Sequence, residues 1–203
     1  MPESTVYVVD DDASVREAME DLLSSFGLHV ITFGSAAQYV ASTHRADSAC
    51  LVLDVQLPDI NGLDLQRQLA TGRHPPIVFI TGHGDIPSSV RAIKAGAVDF
   101  LPKPFTPEQL LNAVQTGLQQ HHDARKSQSE LAELRGCYAC LTPREREVLP
   151  LVVSGLLNKQ AAAELGISEV TLQIHRGNIM RKMQFASLSD LIRYAIRNNI
   201  VGA

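Results

Sequence analysis

The chain has 203 residues, a formal net charge of −4 at pH 7 and 45% hydrophobic residues. This balance is typical of a soluble globular protein with one large domain or two small ones. No run in the sequence approaches the ~18 apolar residues that a membrane-spanning helix needs, so no such helix is expected. Residues 1–5 lack the basic and apolar regions of a secretion signal, so a cytoplasmic protein without membrane contact is expected.

Charge is distributed unevenly along the chain. Residues 1–123 contain 7 Lys or Arg and 15 Asp or Glu, a net charge of −8, whereas residues 124–203 contain 11 and 7, a net charge of +4, which together give −4. This asymmetry predicts an acidic module joined to one that binds an anion, and nucleic acid is the commonest large anion in a cell. Charge alone leaves DNA, RNA and a membrane surface open.

Strand and helix patterns alternate from residue 5 to about residue 120. Strands are predicted at 5–9, 28–33, 50–54, 77–80 and 97–101, and helices at 14–26, from 35, after the turn 58–62 to about 70, at 87–95 and from 107. Predicted capping boxes pair Ser14 with Glu17 and Ser35 with Gln38, and Gly27 is expected to end the first helix. Five such repeats with right-handed crossovers predict an α/β domain with a doubly wound, parallel five-stranded sheet.

The rest of the chain has helical patterns only. Residues 119–135 are polar but free of Pro and Gly, which predicts a continuing solvated helix or a semi-rigid linker. Four further helices are predicted at 143–154, 159–165, 168–183 and 188–198, the first with a Thr142–Glu145 capping box and the last opened by Ser187. Their short connections predict a small all-α, four-helix domain. We expect domains at 1–120 and 137–203 with a helical linker at 121–136.

Carboxylates follow two of the predicted strands. Asp10, Asp11 and Asp12 follow the first strand and Asp54 ends the third. Ligands of open α/β sheets bind outside the carboxyl ends of the strands. At ~4 Å and an effective dielectric of about 20, each like-charged pair costs roughly 4 kcal/mol, so the cluster needs raised pKa values or a cation. Mg²⁺ is the expected cofactor, because it is a hard cation that prefers oxygen ligands.

A hydroxyl and an ammonium group are predicted at the same edge of the sheet. Thr81 ends the fourth strand, and Lys103 follows the fifth. With Mg²⁺, these groups would meet the three equatorial oxygens of a phosphoryl group on Asp54. A cis Lys103–Pro104 bond in a tight turn would direct the ammonium inward. For any single acidic residue, the alternative is a helix cap or a solvated strand end.

Five motifs at the predicted sheet edge resemble the receiver domain of a two-component response regulator. They are VVDDD at 8–12, LD at 53–54, PDING at 58–62, ITGHG at 80–84 and KAGAVDFLPKPF at 94–105. The resemblance covers about residues 5–120 and is closest to the FixJ branch. It implies a flavodoxin-like fold, a sensor histidine kinase as partner, and no enzymatic activity beyond the receiver's own phosphotransfer and slow autodephosphorylation.

The resemblance also implies which residues carry the phosphate chemistry. Asp54 is the implied phosphoacceptor. Mg²⁺ is implied to bind Asp11, Asp54 and the backbone carbonyl of Gln56, with Asp10 acting through a metal-bound water.

Three further residues receive roles from the resemblance. Lys103 is implied to pair with the phosphoryl group, and Thr81 and Phe100 are implied to be the switch pair. Asp12 is implied to cap the first helix, and His83 is interpreted as a surface loop residue.

The helical end has the spacing of a helix-turn-helix motif, with residues 159–165, a turn through Gly166 and a helix from Ser168. An apolar set (Leu165, Ile167, Leu172, Ile179 and Met183) is expected to pack against Val148, Leu149 and Val152. The strings LTPREREVL (141–149), GLLNKQAA (155–162), GIS (166–168) and HRGNI (175–179) resemble the LuxR-type DNA-binding domain. With the receiver this is the FixJ/NarL architecture, which implies double-stranded promoter DNA as partner, a homodimer on phosphorylation and RNA polymerase as a candidate partner.

The expected DNA contacts are Lys159, Thr171, Gln173, Ile174, Arg176, Arg181 and Lys182, although a solvated face is the alternative for any single cation. Four departures from the family pattern predict weaker binding that depends more on dimerisation. Gln173 stands where the family usually has Lys, and Ala161 where it usually has Ile. Gly177 costs up to about 1 kcal/mol in a helix, and Pro150 should kink its helix.

The sequence leaves two alternative functions open. An enzyme of the flavodoxin-like fold is disfavoured, because no Gly-rich phosphate loop follows the first strand. A redox or metal sensor could use Cys137 and Cys140 near His121 and His122, since two Cys and two His can bind zinc. The third cysteine, Cys50, lies in a strand pattern where a small buried hydrophobe is expected. The favoured hypothesis is a transcriptional regulator that accepts phosphate on Asp54.

Overall fold

The computed structural model describes residues 4–42, 48–70, 74–82, 86–185 and 187–197. Residues 83–85 and 198, which include the predicted loop residue His83 and the last residue of the predicted final helix, lie outside this set. The chain divides into two compact units, Met1–Ser127 and Gln128–Ala203.

The first unit contains a sheet of five parallel strands. They are β1 (Ser4–Val9), β2 (His29–Phe33), β3 (Ser48–Asp54), β4 (Ile77–Thr81) and β5 (Asp99–Pro102). Their order in the sheet is β2-β1-β3-β4-β5, so the order in which strands are added reverses between β1 and β3. The predicted doubly wound α/β fold is confirmed, and the strand ends that flank the reversal point are those that precede or contain the acidic residues.

Helices cover both faces of this sheet. They are α1 (Ala13–Ser25), α2 (Ala36–Ala41), α3 (Gly62–Leu69), α4 (Ile86–Lys94) and α5 (Pro107–Ala139). Val6 and Val8 pack with α1 and α5 on one face, whereas Tyr7 and Val9 pack with α2, α3 and α4 on the other. This alternation follows from the two-residue repeat of a strand. It gives the sheet one hydrophobic core on each face.

Several helix and strand boundaries differ from the predicted ones. Helix α1 begins before Ser14, because Asp12 is its cap: the Asp12 carboxylate accepts hydrogen bonds from the Ser14 backbone N–H at 2.8 Å and hydroxyl at 2.6 Å. The predicted Ser14–Glu17 capping box is therefore wrong, whereas the implied cap at Asp12 is confirmed. Strand β5 begins two residues later than predicted, because the Ala97 N–H closes the end of α4 by donating to Ala92 O at 3.0 Å.

Helix α2 begins as predicted, but its capping box differs in one bond. The Ser35 hydroxyl accepts a hydrogen bond from the Gln38 backbone N–H, as expected. The Gln38 side chain, however, accepts from Gly34 N–H at 2.9 Å. The Gln38 side chain therefore bonds to the residue that precedes the N-cap and not to the N-cap itself.

The second unit is helical. After the end of α5 it contains α6 (Pro143–Val153), α7 (Asn158–Leu165), α8 (Glu169–Lys182) and α9 (Leu188–Arg197). The Thr142–Glu145 capping box of α6 is confirmed, and all eight residues of the predicted apolar set belong to its core or pack against it. Helix α6 continues through Pro150, and the predicted kink stays a prediction. Residues 119–135 are part of α5, so the helical alternative is confirmed there.

Candidate functional site

Sheet register brings two carboxylates together. Strands β1 and β3 are paired from Ser4 with Ser48 to Val9 with Leu53, so Asp10 and Asp54 occupy the next position on neighbouring strands. Both side chains are buried. Carboxylate oxygens of Asp10, Asp11 and Asp54 lie within 4.8 Å of one another. Among the described residues, these three carboxylates form a group that could hold a metal ion.

Lys103 links the two buried carboxylates. Its Nζ donates to Asp10 Oδ2 and to Asp54 Oδ2, each at 2.7 Å. The Lys103–Pro104 bond is cis, as predicted, and the Lys103 backbone N–H donates to the Thr81 carbonyl at 2.7 Å. The ammonium is thus positioned from β5 over the ends of β1 and β3.

Burial and ion pairing act in opposite directions on these groups. Burial raises the pKa of Asp10, and the hydrogen bond from Lys103 offsets this only in part. Burial alone would lower the pKa of Lys103, but hydrogen bonds to the two carboxylates outweigh it and raise that pKa above its ordinary value. Lys103 is therefore charged at neutral pH and partly compensates the acidic cluster.

Each buried carboxylate is also held by a backbone N–H. Asp10 Oδ1 accepts from Asp12 N–H at 2.9 Å, and Asp54 Oδ1 accepts from Gln56 N–H at 2.9 Å. One oxygen of each group thus bonds to the backbone and the other to Lys103. Asp11 is exposed beside them. This donor set of carboxylate oxygens at one edge fits a hard divalent cation such as Mg²⁺.

Three residues that position this site received no role from the sequence. Arg16 Nη1 donates to the carbonyls of Asp10 at 2.7 Å and Asp11 at 3.0 Å, which ties α1 to the acidic loop. Asp59 accepts from the N–H groups of residues 36 and 37 and so anchors α2 to the loop after β3. Gly62 lies so close to β3 that a Cβ there would be 2.5 Å from Asp54 O. Asp59 and Gly62 belong to the PDING motif, but only their tertiary contacts show what they do.

The implied switch residues share one face of the sheet. Thr81 is buried at the end of β4, and Phe100 is half-buried on β5. Phe79, two residues before Thr81, pairs in register with Phe100, and their ring centroids are 6.1 Å apart. Alternation along β4 places Thr81 on the same face as Phe79 and Phe100. Thr81 and Phe100 therefore lie on the same face of the sheet, on neighbouring strands.

The second unit contains the predicted helix-turn-helix. Helix α7 ends at Gly166, whose φ of 65° is left-handed, and Ser168 caps α8 by accepting from Thr171 N–H at 3.1 Å. Leu172 and Ile179 bury one side of α8 in the core. The opposite side exposes Gln173, Ile174 and Gly177, and Ile174 is 58% exposed. An exposed apolar side chain beside an amide suits a surface that contacts base edges.

The cations predicted to bind DNA differ in their surroundings. Lys159 and Arg181 are exposed, the latter donating to Asn178 Oδ1 at 3.0 Å. Arg176 is half-buried and donates to Asn158 Oδ1 at 2.9 Å, which links α8 to the start of α7. Lys182 pairs with the buried Glu145 at 2.7 Å, so it already has a partner inside this unit. The hydrogen bond from Lys182 lowers the pKa of Glu145.

The cysteines and histidines considered for a redox or metal sensor each have their own surroundings. Burial raises the pKa of Cys50 to about 12, so its thiol is unreactive in the sheet. His121 uses Nδ1 to accept a hydrogen bond from Ala49 N–H at 2.9 Å. Cys137 is half-buried and Cys140 is exposed, both as free thiols. No metal-ligand group that includes them occurs among the described residues.

A parallel five-stranded sheet with an acidic edge, followed by a helix-turn-helix unit, defines the class of response regulators that control transcription. Comparison with known proteins agrees. Residues 6–115 match the family model described as the response regulator receiver domain, and residues 139–195 match the bacterial regulatory proteins of the luxR family. The chain belongs to the response regulators with a receiver and a LuxR-type DNA-binding domain, and the predicted family is confirmed.

Similar proteins span nearly the whole chain. Nodulation protein W of Bradyrhizobium diazoefficiens is 51% identical over 189 residues, which are 93% of this chain and 83% of that protein. Transcriptional regulatory protein FixJ of Azorhizobium caulinodans is 42% identical and covers 100% of this chain and 97% of its own length. The solved structure of response regulator StyR gives a TM-score of 0.83 at 47% identity, covering 96% of this chain and 99% of that one. Among the described residues, no helix is both long and apolar enough to cross a membrane.

Proposed function

We propose that Asp54 accepts a phosphoryl group from a sensor histidine kinase. The observation that carries this proposal is the Lys103 ammonium, which bonds to Asp54 Oδ2 and Asp10 Oδ2 at 2.7 Å each. A phosphoryl group on Asp54 would bring its own negative charge to this ammonium. The Thr81 hydroxyl, on the neighbouring strand end, is the second expected contact of its oxygens.

Asp10, Asp11, Asp54 and the Gln56 carbonyl are the proposed Mg²⁺ ligands, with Asp10 acting through a water. When bound, Mg²⁺ would neutralise charge on the transferring phosphoryl oxygens. The protein's own groups orient the acceptor: backbone N–H groups hold one oxygen of Asp10 and of Asp54, and Lys103 holds the other. Beyond this phosphotransfer and a slow autodephosphorylation, we propose no enzymatic activity.

We infer that the output is phosphorylation-dependent binding to promoter DNA as a homodimer. Exposed apolar side chains on α4, Val90 and Ile93, support an association surface on the first unit. The exposed side of α8 supports DNA contact by the second unit. We propose that the protein acts in the cytoplasm, where promoter DNA is found, and that RNA polymerase is a further partner.

The test is incorporation of phosphate from acetyl phosphate with Mg²⁺, measured as the intact mass of the protein. Wild type should gain one phosphoryl group, and Asp54→Asn should gain none. Asp21→Asn, an exposed carboxylate on α1, is the matched control and should behave as wild type. Equal incorporation into wild type and Asp54→Asn would refute the assignment, provided that circular dichroism shows both to be folded.

A further inference from the structure

Two thiols lie three residues apart at the end of α5. Cys137 is in the last turn of the helix, half-buried against the core of the second unit. Cys140 is exposed, just beyond the helix end at Ala139. Neither is part of the acidic site or of the exposed side of α8. Phosphate transfer and DNA binding therefore leave both without an assigned role.

The spacing of these residues permits a disulfide. Residues three apart on an α-helix have Cα atoms about 5 Å apart, within the 4.4–6.8 Å range of disulfides. Their Cβ atoms are ~5–6 Å apart in an ideal helix, whereas a disulfide needs roughly 3.5–4.5 Å, so the turn must tighten. Cys140 lies just past the helix end, where its N–H is shared between Gly136 O at 3.3 Å and Cys137 O at 3.1 Å, so the change falls on this terminal turn. Closure rearranges this terminal turn and leaves the interior of α5 intact.

We propose that Cys137 and Cys140 form a reversible intrachain disulfide when the cell is exposed to peroxide. The exposed Cys140 thiolate attacks one peroxide oxygen, which breaks the O–O bond, yields a sulfenic acid and releases one water after protonation. The Cys137 thiolate then attacks the Cys140 sulfur, forms the S–S bond and expels the hydroxyl as a second water. Two thiols lose two electrons and hydrogen peroxide gains them. A dithiol reductant reverses the step by thiol exchange.

The turn that must tighten leads directly into the DNA-binding helices. Leu141 is buried in the core, and Thr142 caps α6. Arg146 of α6 donates to Ala139 O at 2.9 Å, and its guanidinium lies 5.6 Å from the centroid of the Tyr138 ring. Disulfide formation pulls on these contacts at the start of α6. The oxidation state of the pair is thereby coupled to the order of the second unit.

The third cysteine serves as an internal control. Cys50 is fully buried in β3, and burial keeps its thiol protonated. In the reduced chain, two of the three thiols should react with a chromogenic disulfide reagent under native conditions and the third only after unfolding. After treatment with hydrogen peroxide, none should react natively and one should react after unfolding.

Peptide mass identifies the product. Trypsin should release residues 136–144 as one peptide with both cysteines, and peroxide treatment should make it lighter by two hydrogen atoms. Dithiothreitol should restore the mass, and Cys140→Ser, a change at an exposed position, should abolish the loss. A peptide that gains oxygen atoms instead, or a disulfide that joins two chains, would overturn the proposal.

Hydrogen exchange tests the coupling to α6. Oxidation should accelerate amide exchange in residues 141–146 of wild type and leave the strands of the first unit unchanged. Cys140→Ser treated with peroxide should show no acceleration. If the disulfide forms and exchange in residues 141–146 stays the same, the inferred coupling is wrong.

Discussion

Gly117 packs so closely against the sheet that one added carbon atom would clash with it. A Cβ on Gly117 of α5 would lie 2.6 Å from Cys50 Sγ on β3, which is shorter than real Cβ contacts. Both groups belong to a packed interior, where neither the sheet nor the helix can yield without loss of other contacts. The absence of a side chain at residue 117 therefore sets the distance between α5 and the sheet.

Gly117→Ala should lower the free energy of unfolding of the first unit by about 1–3 kcal/mol, because overpacking forces the helix away from the sheet. Cys50→Ala should relieve this cost in the double variant, since the sulfur is the atom that the new methyl meets. Denaturation by urea, followed by circular dichroism, measures all four members of the cycle. Gly136→Ala, which adds a methyl where no atom lies within 4 Å, is the control and should not destabilise. Additive effects of the two changes would show that their contact is unimportant.

At the scale of elements, α5 is held to the start of β3 by two polar contacts. His121 Nδ1 accepts from Ala49 N–H at 2.9 Å, and Ser48 Oγ donates to the Leu118 carbonyl at 3.0 Å. A protonated imidazole has no acceptor nitrogen, so the first contact requires neutral His121. Burial lowers the pKa of His121, and the nearby charge of Arg125 lowers it further.

This lowered pKa predicts a loss of stability in mild acid. The folded pKa lies below the ordinary value of about 6.5, so the unfolded chain binds the proton more readily. The contribution is fully present above pH ~6.5 and is lost as the pH falls through the folded pKa. His121→Gln, which can still accept a hydrogen bond, should flatten this part of the pH dependence of the thermal midpoint. His122→Gln, at the exposed neighbour, should leave it unchanged. A profile that is the same for wild type and His121→Gln would contradict this role.

The helix-turn-helix, α7 and α8, presents the groups expected to contact DNA. We expect Gln173 to contact a base edge and Lys159 to contact a phosphate, as both side chains are exposed. Gln173→Lys should shift preference at one base pair from adenine towards guanine and steepen the salt dependence of binding by about one unit. Lys159→Ala should weaken binding to all sequences alike.

The measurement is affinity for a panel of single-base operator variants at several salt concentrations. Arg193→Ala removes an exposed cation on α9 and serves as the control for charge alone. Arg176 is a special case, because its bond to Asn158 links two helices as well. If Gln173→Ala leaves the ranking of operators unchanged while Arg176→Ala alters it, Arg176 and not Gln173 contacts the base edge.

At the scale of the whole molecule, the expected link between phosphate and dimerisation depends on Thr81. Thr81→Ala should still accept phosphate, because Asp54 and Lys103 keep their contacts, but it should lose phosphate-driven dimerisation. The reason is that the hydroxyl is the group expected to move towards the phosphoryl oxygens and free space for Phe100. Sedimentation of the acetyl phosphate-treated protein gives the answer. Ser25→Ala, which removes an exposed hydroxyl from α1, is the control. A phosphorylated Thr81→Ala dimer would exclude this switch.

The sequence by itself determined the class of fold, the family and the acidic edge. Strand and helix periodicities are local, and an apolar run that ends in Asp10 or Asp54 reveals which end of the strand carries charge. Pro104 likewise marked a special turn, and the Thr142–Glu145 box marked the start of α6. Each of these signals lies within a few residues of the feature that it predicts.

Only the tertiary structure decided which groups are partners. Lys103 bonds to carboxylates 93 and 49 residues away, and Lys182 pairs with Glu145 instead of standing free for DNA. His121 accepts from a strand amide, and Gly62 and Gly117 are required by atoms of β3. Such contacts depend on sheet register and on the distance between packed elements, and no local pattern contains those quantities.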